Sequence, residues 1–168
     1  MYSLDFENEQ LVEYEGTIIF DPKAICDPSG KMFKPWWVIV ALGSDDDFGL
    51  YYSWFYEKQH GIKLQRPAFG AHISVIRGEE TDKNNWEKFK ELYHKKPIKF
   101  IYELSPRTNG AHVWLRVRCD ELKELREKMG YPKDGKWGLH LTLGMPTPIY
   151  LERNYVVWRM YKNCGRIC

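Results

Sequence analysis

The sequence predicts an α+β fold: two similar lobes whose antiparallel sheets line a central cleft, with helices packed outside. Three observations predict it. Strand-length apolar runs alternate with amphipathic helical stretches along the chain. A helix followed by a histidine-bearing strand occurs twice, reaching AHISV at 71–75 and LHLTL at 139–143. No low-complexity stretch, internal linker or heptad run interrupts the pattern. The 168 residues therefore read as one domain with two lobes, residues 1–35 forming an N-terminal extension.

The elements follow in order. Glu15–Phe20 has strand character, and 21–34 is rich in turns, with two Asp-Pro steps. Trp36–Leu42 (WWVIVAL) is a buried strand. Ser44 and Asp45–Asp47 start a helix, because acidic residues suit the first turn; it runs to about Gln59 and stops near Gly61. Ala71–Arg77 is a strand. Thr81–Lys95 is a helix capped by Thr81 or Asp82, with Trp86, Phe89, Leu92 and Tyr93 on its apolar side. Ile98–Leu104 and Ala111–Arg118 are strands joined through the turn PRTNG as a hairpin. Asp120–Met129 is a helix striped by Leu122, Leu125 and Met129 and closed by Gly130. Gly138–Gly144 is a strand, and Tyr155–Tyr161 is a candidate for a last one.

Composition narrows the function. Hydrophobic residues are 43% and charged residues 29%, as in soluble globular proteins. No apolar run approaches 18 residues, so a membrane-spanning helix is not expected. The acidic start MYSLDFENEQ has no apolar core of a secretory signal, and a cytoplasmic location is expected. A net charge of +2 argues against gripping a long nucleic-acid duplex but leaves room for a local basic cleft. Cys26, Cys119, Cys164 and Cys168 are not spaced like a zinc knuckle or a thioredoxin pair, so reduced structural thiols are expected. Aromatic residues, at 15%, supply core packing and also the surfaces on which bases stack.

Chemistry concentrates in His72-Ile73-Ser74 and His140-Leu141-Thr142. With five histidines in the chain, chance gives about 0.3 such His-x-Ser/Thr triplets, yet two occur, both in predicted strands of matching units. Strand alternation puts His72 and Ser74 on one face and Ile73 and Val75 on the other. It likewise separates His140 and Thr142 from Leu139, Leu141 and Leu143. Each strand thus presents an imidazole and a hydroxyl roughly 7 Å apart. Two such strands facing one another suit a phosphodiester. A neutral histidine takes a proton from an attacking hydroxyl or water, and a protonated one gives a proton to the leaving oxygen. The hydroxyls hold the non-bridging oxygens. No Asp or Glu stands beside either motif, so no metal or other cofactor is called for.

These paired motifs, their 68-residue spacing and the duplicated layout resemble the 2H phosphoesterase superfamily, over roughly residues 36 to 161. That superfamily includes RNA ligase-like 2′,3′-cyclic phosphodiesterases, 2′-5′ oligoadenylate phosphodiesterases and small phage enzymes that destroy cyclic-oligonucleotide alarm signals. The resemblance implies that His72 and His140 are the acid/base pair and that Ser74 and Thr142 bind phosphate. The first motif carries Ser where Thr is commoner, a mild change because both offer a hydroxyl. Size and layout are most similar to the phage branch, which defeats the bacterial CBASS immune system. The expected substrate is then a cyclic di- or trinucleotide cut at its 3′-5′ bond. The alternatives are a 2′,3′-cyclic phosphate or 2′-5′ oligoadenylate substrate, or a nucleotide- or RNA-binding module without turnover.

Further residues join the candidate site by alternation. In AHVWLRVR, His112, Trp114, Arg116 and Arg118 share the face opposite Val113, Leu115 and Val117. Trp114 can stack a base and Arg116 can hold a phosphate. Of the adjacent Trp36 and Trp37 only one can face the cleft; Trp36 is the candidate, with Tyr102. Lys34, Arg77 and Arg107 are read as surface charges, and Arg77 alternates onto the face opposite His72. His60 and His94 sit near helix ends, where an imidazolium suits the dipole.

Overall fold

A computed structural model describes residues 10–23, 35–43 and 46–147. Cys26, Lys34, Ser44, Asp45, the 155–161 strand, Cys164 and Cys168 lie outside them. The strands are β1 (Leu11–Phe20), β2 (Trp37–Ala41), β3 (Leu64–Gln65), β4 (His72–Arg77), β5 (Pro97–Glu103), β6 (Arg107–Thr108), β7 (Val113–Arg118) and β8 (His140–Pro146). The helices are α1 (Asp47–His60), α2 (Lys83–Tyr93) and α3 (Asp120–Lys128). Their sequence marks work as expected at two ends. Asp82 caps α2 by accepting from the Asn85 N–H at 2.9 Å. Gly61, at φ 66°, closes α1 in the left-handed conformation.

All strands pair antiparallel in the order β3-β8-β4-β2-β1-β5-β7-β6, and β8 also pairs with β7. That extra pairing closes β8-β4-β2-β1-β5-β7 into a six-stranded barrel. The lobes are therefore not separate sheets across an open cleft, as the sequence suggested. Two short seams join them, His72↔Thr142 and Ile73↔Leu141 on one side and Ile101↔Arg118 and Tyr102↔Val117 on the other. The N-terminal stretch is no appendage either. β1 lies between β2 and β5, and Gly16 belongs to it where a Cβ would run into Val40 and the Ala41 carbonyl.

The pleat sorts the side chains into two classes. Ile18, Phe20, Val38, Val40, Ile73, Val75, Phe100, Leu115, Val117, Leu141 and Leu143 form the buried core with the apolar faces of the helices. Trp86 and Phe89 of α2, and Leu122 and Leu125 of α3, bury there at helical spacing. α1 packs on β3 and β8, α2 on β1 and α3 on β4. Three helices on the apolar face leave the opposite face to line the barrel. That inner face is partly filled: Trp37, Ile39, His72 and Glu103 are buried on it, while Thr17, Ser74, Trp114, Arg116, His140 and Thr142 are half-buried.

Candidate active site

Both His-x-Ser/Thr motifs lie on this inner face, on neighbouring strands. His72 of β4 stands opposite Thr142 of β8, Thr142 stands opposite Trp114 of β7, and Trp114 stands opposite Arg107 of β6. One row therefore crosses four strands. His140 and Arg116 face each other in the next row. Ser74 shares the face of His72 and sits opposite Ile39.

The two imidazoles are held the same way. His72 Nδ1 lies 2.7 Å from the Gly70 carbonyl, and His140 Nδ1 lies 3.1 Å from the Gly138 carbonyl. A carbonyl only accepts, so each Nδ1 carries the proton and each Nε2 keeps its lone pair when the ring is neutral. Both glycines sit at positive φ, 70° and 63°, which bends each carbonyl back toward the ring two residues on. The repeated unit is thus Gly-x-His-x-Ser/Thr. Its glycines were visible in GAHIS and GLHLT, but only the geometry gives them a purpose.

The two sites differ in depth. His72 is 5% exposed, with Trp37 and Phe69 edge-on to its ring, each at a centroid distance of 6.2 Å. Burial pushes its imidazole down to about 4; the charges of Arg77 and His140 push the same way, and the Gly70 hydrogen bond pushes against them. His72 is therefore neutral at pH 7. His140 is half-buried, with Trp114 edge-on at 6.4 Å. The segment entering β4 is pinned by Asp46, which follows no capping pattern. Its buried carboxylate accepts from the Ala71 N–H at 2.7 Å and from Arg66 at 3.3 Å. Gly49 makes room for it, since a Cβ there would collide with the Asp46 side chain. The acidic run is thus partly a positioning device, and only Asp47 occupies the first turn of α1.

Several sequence readings change. Trp36 is not in the cleft: it precedes β2 at φ 58° and meets Trp86 of α2 edge-on at 5.2 Å. Trp37 is the tryptophan beside His72. Tyr102 faces the core, against Phe48 at 5.4 Å and Tyr14 at 6.3 Å. Arg77 does not point away from His72. The β2–β4 register runs Trp37↔Arg77 and Val38↔Ile76, then slips to Ile39↔Ser74, leaving Val75 as an extra residue. This bulge reverses the alternation and returns Arg77 to the face of His72. His112 precedes β7 rather than continuing its alternation, and its N–H donates to Asn109. His94 is no imidazolium cap: its Nδ1 accepts the Phe20 N–H at 3.1 Å, which requires a lone pair there. His60 lies against Tyr56 at the end of α1.

Arg116 and Arg107 both reach Glu103, a 2%-exposed carboxylate on the inner face of β5. Arg107 donates to Oε2 through Nε at 3.1 Å and Nη2 at 2.9 Å, and Arg116 Nη1 lies 3.5 Å from Oε1. Glu103 was absent from the sequence reading because a glutamate ending an apolar strand looks like a solvated charge. Among the described residues, no group of three or more His, Cys, Asp or Glu side chains converges as a metal site would require. A separate concavity between α2, α3 and β5 is edged by the exposed charges Lys96, Glu121, Glu124 and Lys128. It brings no histidine or hydroxyl together, so the inner face of the barrel is the chemical candidate. No helix among the described residues is long and apolar enough to cross a membrane. Comparison with family models, with curated proteins and with solved structures finds no match to the chain.

Proposed function

We propose that the protein is a metal-independent phosphodiesterase of the two-histidine type, cutting 3′-5′ bonds of cyclic di- or trinucleotides. The observation that carries this reading is the matched tethering of His72 and His140 on adjacent strands, each with Nδ1 tied to a glycine carbonyl so that Nε2 is left for the reaction. His72, neutral at pH 7, removes the proton from the ribose 2′-hydroxyl beside the scissile phosphate. The 2′-oxygen attacks phosphorus, and protonated His140 gives its proton to the departing 5′-oxygen. Ser74 and Thr142 donate hydrogen bonds to the non-bridging oxygens, where negative charge builds. A 2′,3′-cyclic phosphate results, which water opens with the two histidines in exchanged roles. Trp114, beside His140, offers a face for a base.

The resemblance to the two-lobed 2H phosphoesterases supports the same chemistry and extends it to biology. On that reading the protein is a phage factor acting in the host cytosol to remove cyclic-oligonucleotide immune signals. The barrel, pinched at two short seams, is compatible with two lobes, each giving one motif.

The test is an assay in EDTA, followed by mass spectrometry, on 3′,3′-cyclic GMP-AMP, a cyclic trinucleotide, 2′-5′ triadenylate and 2′,3′-cyclic AMP. Wild type is expected to open the cyclic oligonucleotides, and a His72→Ala variant to lose about 100- to 10,000-fold in rate. His140→Ala is expected to lose as much. A 2′-deoxy cyclic dinucleotide is expected to stay intact. Turnover of the 2′-5′ or 2′,3′ substrates alone would keep the mechanism and move the substrate to RNA ends. Binding without turnover, unchanged by either histidine variant, would leave a nucleotide-binding module.

A further inference from the structure

An unbroken β4 would turn Arg77 away from the histidines, and the extra residue at Val75 turns it back. β-Bulges are over-represented beside active sites, where they re-aim a side chain. The re-aimed guanidinium is then given a seat. Its Cζ lies 5.3 Å from the centroid of Trp37, the same indole that stands edge-on to His72. Among the described residues the guanidinium makes no ion pair. Glu79, two residues on, turns both carboxylate oxygens to Arg126 at 2.7 Å each and takes only the backbone N–H of Arg77, at 3.5 Å. The bulge is also actively held, because the Val75 carbonyl accepts from Arg126 at 2.6 Å.

We propose that Arg77, laid over Trp37, binds the second, non-reacting phosphate of a substrate that carries two. The inference rests on the phosphodiester reading of the histidine pair and names a subsite for it. The Arg77 guanidinium lies 5.3 Å from the Trp37 ring and the His72 ring 6.2 Å from it, so the two groups are within about 12 Å of each other. One indole separates its guanidinium from the His72 ring. A phosphate seated between the histidines therefore leaves Arg77 to reach the next phosphate along the ligand. A planar guanidinium offers two parallel N–H groups to a phosphate, a geometry that lysine lacks. Ligands with two phosphates joined through a nucleoside are selected over those with one.

The test compares wild type, Arg77→Met and Arg77→Lys, each checked for an unchanged melting temperature. kcat/KM is measured on 3′,3′-cyclic GMP-AMP, with two phosphates, and on 2′,3′-cyclic AMP, with one. Arg77→Met is expected to lose about 10- to 100-fold on the first and under about 2-fold on the second. Arg77→Lys is expected to recover only part of the loss. Equal losses on both substrates, or no loss on either, would overturn the proposal. Calorimetric binding of 3′,3′-cyclic GMP-AMP to a His140→Ala background, with and without Arg77→Met, reads the subsite without turnover. Arg77-dependent binding in a protein with no activity would retain the subsite and remove the catalytic reading. Binding that ignores Arg77 would remove the subsite and leave the catalytic reading to its own assay.

Discussion

A histidine buried and neutral beside a second histidine and an arginine makes folding sensitive to acid. The His72 imidazole is held down to about 4 in the folded chain, against an ordinary value of 6.5 in the unfolded one. The unfolded state therefore binds the proton first as pH falls. Folding stability is untouched above the ordinary value, declines as pH drops from about 6.5 to about 4, and then levels off for this group. The span is worth about 3 kcal/mol. A His72→Gln variant, titrated with urea across pH 4 to 7, is expected to lose this slope relative to wild type, other groups cancelling in the difference. Equal slopes in the two proteins would mean that His72 is solvated. At this scale the sequence was informative about identity and poor about surroundings. Both histidines and both hydroxyls could be named from spacing and alternation. Phe69 and Trp37, which make the two histidines unequal, could not, because their contact with His72 is set by how the chain enters β4.

One extra residue in one strand decides which way an arginine points. β4 is read correctly from sequence as a strand, and His72, Ser74 and Ile73 take the faces that alternation gives them. Past Val75 the alternation fails. The cause lies 51 residues on, in α3, where Arg126 is 2% exposed and sends Nη1 to the Val75 carbonyl. Its other donors go to Glu79 and to the Pro132 carbonyl at 2.8 Å, and its guanidinium lies 5.7 Å from the Tyr131 ring. A bulge leaves a residue unpaired in the ladder, and a buried carbonyl without a partner is costly. Arg126 supplies that partner. The helical stripe of Leu122, Leu125 and Met129 hid it, because arginine on a helix is normally read as solvated. Arg126→Met is expected to lower unfolding free energy by about 3 kcal/mol or more, since Glu79 and Val75 both lose their partner. If the proposed Arg77 subsite exists, the variant is also expected to weaken its two-phosphate preference, because the bulge that aims Arg77 loosens. A variant as stable as wild type by denaturant melt would show that the bulge supports itself.

The two histidine strands are braced crosswise. α1 precedes β4 in the chain yet packs on β8, and α3 precedes β8 yet packs on β4. Each histidine-bearing strand is therefore backed by the helix that leads into the other. The repeated helix-then-histidine-strand order was legible in the sequence, and so was the packing of helices against the apolar strand faces. The exchange was not, because periodicity says which face a helix buries and nothing about which sheet receives it. The closed barrel was hidden for a similar reason. Its seams are two residue pairs long, and no local pattern marks the strands that meet there. The exchange has a measurable consequence. Leu125 of α3 is 2% exposed in the core, and Leu125→Ala is expected to remove about 2–5 kcal/mol. If bracing followed chain order, the loss would loosen β8, twelve residues beyond the end of α3. Crosswise bracing directs it to β4 instead. Native-state hydrogen exchange is expected to speed up first at the β4 amides around Ile73 and Ile76, with those around Leu141 and Leu143 following only at the global unfolding limit. Earlier exchange in β8 would reject the crosswise arrangement. On the proposed two-histidine chemistry, a change in either helix is expected to be felt at the histidine strand of the other unit.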